Sequence, residues 1–216
     1  MDLLPFTAAH AATVAGWPTS ADEVVRWCGR QEFPVSTRTV TDWQQDADVR
    51  AHVLVDDATV VGYGELWLDD EEDEVELARL IVAPDTRGKG LGRVLVRELL
   101  ARAVAAGHRD VFMRVHPDNE RALRCYRGAG FVPVDPALAE TWNEAQPVGY
   151  VWLQGDIMIA RRLCISCGWC EEGSSGRISS GQRYGGLGVQ SKGSAWINPG
   201  PTWMNTCGIR ATSLRI

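Results

Sequence analysis

The sequence predicts a mixed α/β domain whose central sheet is flanked by helices, and three stretches carry that prediction. Residues 75–107 contain a β-branched and leucine-rich run, a turn with three glycines, and then apolar residues at helical spacing. Residues 51–68 contain two strand-like runs on either side of an Asp-Asp turn. Residues 110–134 predict a further strand, helix and strand in succession.

The N-terminal part is predicted to contain one short strand and two helices. Residues 3–6 suit a strand, and residues 8–17 a helix that the following proline ends. Ser20 and Glu23 have the spacing of a capping box, so a second helix is expected to run from there to about Gly29.

The middle of the chain is predicted to form a hairpin followed by an acidic stretch. The hairpin strands cover residues 51–55 and 60–68. Residues 69–76 hold seven acidic side chains in eight positions, and most of this run is expected to be a solvated loop. Glu74 and Glu76 already belong to the next strand, where a period of two places both on the same face.

The second half of the domain is predicted from helical periodicity and glycine stops. Apolar residues recur at helical spacing from Leu91 until Gly107 ends the helix. Asp118 or Asn119 caps the next helix. The remaining elements are expected in the order strand 110–116, helix to residue 127, strand 131–134, helical turn 137–143 and strand 150–153.

Composition and charge narrow the class of function. The chain of 216 residues has a formal net charge of −6. Residues 1–160 carry 15 basic and 26 acidic side chains, whereas residues 161–216 carry seven basic and two acidic ones. A body this acidic argues against a nucleic-acid surface and favours cationic partners.

The sequence predicts a cytoplasmic protein with no membrane partner. The N-terminus lacks the basic and apolar segments of a targeting signal. No apolar run approaches the roughly 18 residues that a membrane span needs. Cys28 and Cys125 are the two cysteines of the globular part, which indicates a reducing compartment rather than a disulfide framework.

The glycine turn excludes two nucleotide-binding motifs and fits a third. In a Walker loop a Ser or Thr follows Gly-Lys, but Gly90 follows Lys89 here. The dinucleotide fingerprint needs a glycine where Arg93 stands. The turn does have the pattern Arg-x-x-Gly-x-Gly, from Arg87 to Gly92, before a helix whose first N–H groups attract anions.

A second stretch completes a family resemblance. Residues 119–131 match the pattern Asn-x-x-Ala-x-x-x-Tyr-x-x-x-Gly-Phe at all five fixed positions. With Arg87–Gly92, this resembles the GNAT (GCN5-related) N-acetyltransferase family. The resemblance covers residues 1–154 and implies the acyl-CoA N-acyltransferase fold, a central, mostly antiparallel, twisted sheet flanked by helices.

The resemblance implies an acyltransferase that uses acetyl-CoA as cosubstrate and needs no metal. In the family, the pyrophosphate lies on the glycine turn, and the pantetheine arm lies along the main chain of the preceding strand, which bulges and splays from its neighbour. The cofactor-binding residues implied here are Ile81, Val82, Arg87, Gly88, Lys89, Gly90, Leu91, Gly92, Asn119 and Tyr126.

Two catalytic residues are carried over from the family. Glu76 stands where some members place a general base, and Glu74 and Asp73 nearby are expected to raise its pKa. Tyr126 matches the general acid that protonates the departing sulfur. His116 is a further candidate base. Another branch uses a glutamate at the position of Arg114, so that arrangement is excluded.

The acceptor stays open at this point. The resemblance implies a primary amine, small or peptidic, that attacks directly in a ternary complex, and Trp27 and Trp43 are candidates for the wall of its pocket. A non-catalytic acyl-CoA sensor is the alternative function. Whether the chain forms a homodimer is also open.

Residues 155–216 are predicted to be a glycine- and serine-rich extension, disordered or non-native. Cys164, Cys167 and Cys170 have spacings that thiolate zinc sites use, with a fourth cysteine far downstream. A zinc or redox interaction module is therefore a further alternative. However, the second close pair and any histidine are missing, so no metal site is predicted.

Overall fold

The computed structural model describes residues 1–70 and 72–155, which form a seven-stranded sheet with packed helices. The strands are β1 (Asp2–Pro5), β2 (Val49–Asp56), β3 (Thr59–Asp69), β4 (Glu74–Val82), β5 (Asp110–Val115), β6 (Phe131–Pro133) and β7 (Val151–Gly155). The α-helices are α1 (Ala11–Ala15), α2 (Ala21–Cys28), α3 (Thr37–Asp42), α4 (Leu91–Ala105), α5 (Glu120–Gly128) and α6 (Pro136–Asn143). Three-residue 3₁₀ turns lie at Ala8–His10, Trp43–Gln45 and Pro84–Thr86.

The predicted mixed, mostly antiparallel sheet is confirmed. Its strand order is β1-β2-β3-β4-β5-β7-β6, and every neighbouring pair is antiparallel except β4 and β5. These two pair in parallel only where residues 74–76 meet residues 110–112. Beyond Glu76 the two strands are no longer paired, and a cleft begins there.

Strand β4 contains a bulge opposite β3. Tyr63 pairs with Ile81 and Glu65 with Ala78, so β4 has one residue more than β3 in this interval. Arg79 lies in the bulge with φ +47°, in the left-handed region that a non-glycine residue rarely adopts. The strain requires support from surrounding contacts.

A buried polar cluster provides that support. The Arg79 guanidinium donates to Glu65 Oε2 at 2.7 Å, and Trp27 Nε1 donates to the Arg79 carbonyl at 2.7 Å. Glu65 is fully buried and also accepts from the Tyr63 hydroxyl and from Trp67 Nε1. Its charge is thus both paired and hydrogen-bonded, as a buried carboxylate must be.

Most local signals of the sequence appear as predicted. The Ser20 hydroxyl accepts from the Glu23 N–H at the start of α2, and Gly29 ends that helix with φ +70°. Asn119 is the residue that caps α5, through Ala122 N–H at 3.2 Å.

The region between β1 and β2 departs from the predictions in two ways. The expected helix over residues 8–17 is divided into a 3₁₀ turn and the short α1. The sequence does not predict helix α3, because four of the five residues from 37 to 41 are β-branched and such residues are weak helix formers. Ser36 caps α3, and Val40 of this helix is fully buried, so tertiary packing stabilises the helix.

Helix α4 packs closely on β3 because β3 carries glycines at the contact. A Cβ atom on Gly64 would lie 2.7 Å from Leu99 Cδ1 and 3.4 Å from Leu80 Cγ. Leu95 and Leu99 of α4 belong to the main core cluster on this side of the sheet. A second cluster lies under α1, α2 and α3, and a third under α6.

Both outermost strands are short and end in proline. Strand β1 ends at Pro5, and β6 ends at Pro133. Leu4 and Val132, one on each edge strand, are among the exposed large apolar side chains. In the part of the chain that the structure describes, no helix has the length and apolar character needed to cross a bilayer.

We expect Gly64→Ala to lower the free energy of unfolding by about 1–3 kcal/mol, because the added methyl group overpacks the contact between β3 and Leu99. Gly149→Ala is the matched control, since a Cβ there meets no atom within 4 Å. Urea denaturation of both variants checks this. Equal stabilities for the two would contradict the close packing.

Candidate active site

Two adjoining cavities open between the diverging strands. The larger has a volume of about 1400 Å³ and the smaller about 460 Å³. Leu80, Ile81, Arg87, Asn119 and Tyr126 are among the residues that line both, so the two form one continuous cleft. The smaller part lies at the glycine turn, and the larger reaches from β4 and β5 to α2 and the loop before β7.

The glycine turn leaves room for an anion at the start of α4. Gly88 and Gly90 have φ +83° and +87°, and a Cβ on either would meet no atom within 4 Å. No side chain of the described residues caps α4, so its first N–H groups face this space. At Gly92 a Cβ would lie 3.0 Å from Cys125 Sγ, and glycine here lets α5 approach.

The predicted cofactor residues converge on the smaller cavity with one exception. Lys89 is exposed and does not line it. Those that do are Ile81, Val82, Arg87, Gly88, Gly90, Leu91, Gly92, Asn119 and Tyr126.

The Arg87 side chain ties the glycine turn to the N-terminal helices. Its guanidinium pairs with Glu23 of α2 at 2.7 Å, and it donates to the carbonyls of Val82 at 3.0 Å and Trp17 at 3.2 Å. An anion at the turn would therefore meet the main-chain N–H groups rather than a free Arg87 guanidinium.

Three further arginines line the smaller cavity and were missed by sequence reasoning. They are Arg93 of α4 and Arg121 and Arg124 of α5. The signal was available, because the second signature places Arg121 and Arg124 within one helical turn of each other. Together they give this cavity a positive potential that suits phosphate groups.

Tyr126 stands where the two cavities meet. It lines both, and its hydroxyl makes no hydrogen bond to any residue that the structure describes. Burial raises the pKa of Tyr126, so its phenol stays protonated through the neutral range.

Glu76 lies at the floor of the larger cavity. It is 1% exposed, and its Oε1 pairs with Arg114 Nε at 3.0 Å, while Oε2 has no partner within the described ranges. Burial raises the pKa of Glu76, and Arg114 and Arg79 act in the opposite direction. The expectation that Glu74 and Asp73 raise this pKa is wrong, since burial is the cause.

Aromatic rings surround the two arginines of this floor. The Arg79 and Arg114 guanidinium carbons lie 4.6 Å and 5.5 Å from the centroid of Trp67. Arg114 also lies 5.6 Å from the Tyr150 ring. Cation–π contacts hold both guanidinium groups in place in addition to their ion pairs.

The other sequence candidates divide between cavity and core. His116 lines the larger cavity, and its Nδ1 accepts from the Asp118 N–H at 3.3 Å. Trp27 also lines it. Trp43, the other candidate, does not line it: Trp43 is 7% exposed, belongs to the core and packs edge-on behind Trp27.

Glu74 lies two positions before Glu76 on β4 but has different surroundings. It lines neither cavity and is half-buried beside other carboxylates. Burial, followed by Asp110 and Asp69, raises the pKa of Glu74 to about 7. Cys164, Cys167 and Cys170, with the rest of the predicted extension after residue 155, lie outside the described residues.

Comparison with known proteins agrees with this geometry. The model of the acetyltransferase (GNAT) family matches residues 18–131. Streptothricin acetyltransferase of Streptomyces lavendulae is 36% identical over 113 residues, 50% of this chain and 59% of the relative. An uncharacterized N-acetyltransferase of Mycobacterium tuberculosis is 37% identical over 75 residues, 35% of this chain and 47% of the relative. The chain thus spans about half the length of these relatives.

Solved structures share the fold at low sequence identity. An aminoglycoside acetyltransferase in complex with coenzyme A and kanamycin has a TM-score of 0.58 and 20% identity, with 74% of this chain and 96% of that chain covered. The spermidine N-acetyltransferase of Vibrio cholerae in complex with CoA and spermine has a TM-score of 0.54 and 19% identity, with 62% and 82% covered.

We expect Glu74→Gln to be more stable than the wild type at pH 8, and to show a smaller difference from the wild type at pH 5. A carboxyl group whose folded pKa is raised to about 7 contributes stability that is lost as pH rises through that value. Because Glu74 is partly solvated, the gain at pH 8 is about 1 kcal/mol. Glu140→Gln, on the exposed side of α6, is the control. Denaturation at both pH values checks this, and a pH-independent difference would contradict it.

Proposed function

We propose that this chain, which belongs to the acetyltransferase (GNAT) family, transfers the acetyl group of acetyl-CoA to a primary amine. It is an acyltransferase by its family and by its named relatives. The observation that carries the proposal is the position of Tyr126, which lines both parts of the cleft. A reaction between a ligand at the glycine turn and one above Glu76 would take place beside its hydroxyl.

The smaller cavity would hold the cosubstrate. Acetyl-CoA supplies the acetyl group as an activated thioester. The N–H groups at Gly88–Gly92 would bind its pyrophosphate, aided by Arg93, Arg121 and Arg124. The side of β4 that faces β5 has no strand partner at Ile81 and Val82 in the described structure. The Val82 carbonyl already accepts from Arg87, so the main-chain N–H groups there would bind the pantetheine amide oxygens.

Glu76 would act as the general base. Its Oε2 has no partner among the described residues. Burial raises the pKa of Glu76, which brings it closer to the pKa of an ammonium ion. The base must be ionised, so the rate is expected to rise with pH through this raised pKa. His116, on the wall of the same cavity, is the second candidate.

Tyr126 would act as the general acid towards the departing sulfur, because its phenol is protonated and lies at the junction. Direct attack by the amine is favoured over an acyl-enzyme. Cys125 lines the smaller cavity, but burial raises the pKa of its thiol, which makes it a poor nucleophile.

The relatives suggest only a broad chemical class for the acceptor. The named relatives and neighbours act on or bind amines, among them streptothricin, spermine and kanamycin. We propose a primary amine, small or peptidic. A non-catalytic sensor of acyl-CoA would have no need of Tyr126 or of an unpaired Glu76 oxygen, and both are present. Cys28 and Cys125 form no disulfide within the part of the chain that the structure describes, and this supports a reducing, cytoplasmic setting.

We expect Gly90→Asp to weaken acetyl-CoA binding by up to about 30-fold, because its carboxylate takes the place of a helix-terminal anion contact worth up to about 2 kcal/mol. Gly107→Asp is the matched control: Gly107 also has a positive φ and open space, but lies beyond the other end of α4. Calorimetry with acetyl-CoA checks this. Unchanged affinity in Gly90→Asp would show that the turn is only structural.

We expect Tyr126→Phe and Glu76→Gln each to lower kcat by about 10²- to 10⁴-fold, with acetyl-CoA affinity changed by less than about 1 kcal/mol. Both keep the size of the side chain and remove the proton-transfer group. Only the glutamate variant should lose the acidic limb of the pH–rate profile. Glu74→Gln, on the same strand but outside the cleft, should keep it. Normal turnover in Glu76→Gln would place the base elsewhere, and full activity in both would overturn the mechanism.

A further inference from the structure

Two buried polar atoms on the floor of the larger cavity lack partners among the described residues. They are Glu76 Oε2 and Gln146 Nε2. One is a hydrogen-bond acceptor and the other a donor. Buried polar atoms in folded proteins are nearly always paired, and where two unpaired atoms border a cavity, a ligand is the natural partner for both.

Arg114 holds these two side chains on either side of its guanidinium. Its Nε pairs with Glu76 Oε1, and its Nη1 donates to Gln146 Oε1, each at 3.0 Å. Because the side-chain oxygen of Gln146 accepts from Arg114, the side-chain nitrogen is the atom that is left to donate to a ligand. The donor and the acceptor therefore belong to two side chains that one guanidinium holds, and the hydrogen bonds to Arg114 decide which atom of each is left over.

The loop that carries Gln146 is also fixed. Gln146 N–H donates to the Asn143 carbonyl at 3.0 Å. The Asn143 side chain donates to the Tyr150 carbonyl and accepts from the Tyr150 N–H, both at 3.0 Å. Gln146 thus sits between two anchored ends of the loop, and a hydrogen bond from its amide costs little ordering entropy.

The charges around the cavity do not suit a polycation. Glu76 is neutralised by Arg114, and Glu23 by Arg87. Arg26, Arg30 and Arg121 also line the cavity. Of its two remaining carboxylates, Glu120 pairs with Arg124 and Asp118 lies near His116. A chain of ammonium groups would meet more arginines than free carboxylates, although the body of the protein is acidic.

We propose that the acceptor is an amine with an oxygen on the carbon next to the one that bears the nitrogen. Gln146 Nε2 donates to that oxygen, and Glu76 Oε2 accepts from the nitrogen. The oxygen is a hydroxyl in an amino alcohol or amino sugar, and a carbonyl or carboxylate in an α-amino acid or a peptide N-terminus. This inference rests on the proposed function and gives its acceptor a chemical class.

A thiol-release assay with acetyl-CoA and five amines tests it. Leucinol, leucine amide and leucine present a hydroxyl, a carbonyl and a carboxylate next to the same amine. Isopentylamine keeps the amine and the isobutyl group but lacks the carbon that bears the oxygen, and spermidine is the polycation. For the wild type we expect kcat/KM to be at least about 10-fold higher for one or more of the leucine compounds than for isopentylamine or spermidine.

Gln146→Met removes the amide at nearly constant size. We expect it to lower kcat/KM for the preferred leucine compound by about 10- to 100-fold more than for isopentylamine. Any loss caused by the missing bond to Arg114 should be shared by both amines. If Gln146 only positioned Arg114 and Glu76, all amines would lose rate alike, and the inference would be wrong. Gln45→Met, at an exposed glutamine that lines neither cavity, should change no ratio.

Gln146→Glu tests whether the oxygen of the acceptor belongs to a hydroxyl, a carbonyl or a carboxylate. It keeps an acceptor for Arg114 but replaces the donor by a carboxylate oxygen. A carboxylate-bearing acceptor should then lose the most rate by repulsion, whereas leucinol should keep more of its rate by donating its hydroxyl proton.

Two results distinguish this inference from the function on which it rests. If the wild type acetylates isopentylamine or spermidine as well as the leucine compounds, the inference is overturned and the acetyltransferase proposal stands. If no amine releases thiol, the inference is overturned too, and a lack of acetyl-CoA binding in calorimetry would remove the proposed function with it.

Discussion

The bulge at Arg79 is the constraint on which the cleft depends. Glu76 and Ile81 are separated by an odd number of positions, so in a regular strand they would face opposite sides of the sheet. The extra residue brings both to the cleft, while Leu77 stays in the core beneath α4. The left-handed φ of Arg79 is kept by the buried Glu65 and by the Trp27 indole. Glu76 and the part of β4 that has no β5 partner thus share one surface.

Two buried glutamates beside this bulge have similar surroundings but differ in how many hydrogen bonds they accept. Glu65 and Glu76 each pair with an arginine, and both arginines lie against the ring of Trp67. Glu65 accepts from three donors and is fully satisfied, so it supports the backbone. Glu76 keeps one oxygen free at the cavity. One oxygen without a partner among the described residues is the difference between the two carboxylates.

The sequence located the smaller cavity well because two continuous stretches build it, and their glycines and caps leave local patterns. The larger cavity could not be predicted in this way. Trp27 reaches Arg79 across 52 positions, and Gln146 stands in a loop with no periodicity. A bulge at an arginine has no local signal, since tertiary contacts impose it. The cause of the raised Glu76 pKa was also missed, because nearness in sequence to other acids does not measure burial.

The proline-ended outer strands bear on how the protein behaves at high concentration. An open sheet exposes N–H and C=O groups along its two rims, and a neighbouring copy can extend it by strand addition. Here each rim is only three or four residues long, and Pro5 and Pro133 offer no N–H. The exposed Leu4 and Val132 therefore sit on rims that are poor templates for aggregation. The folded domain can therefore reach a high concentration without the sheet growing from its edges.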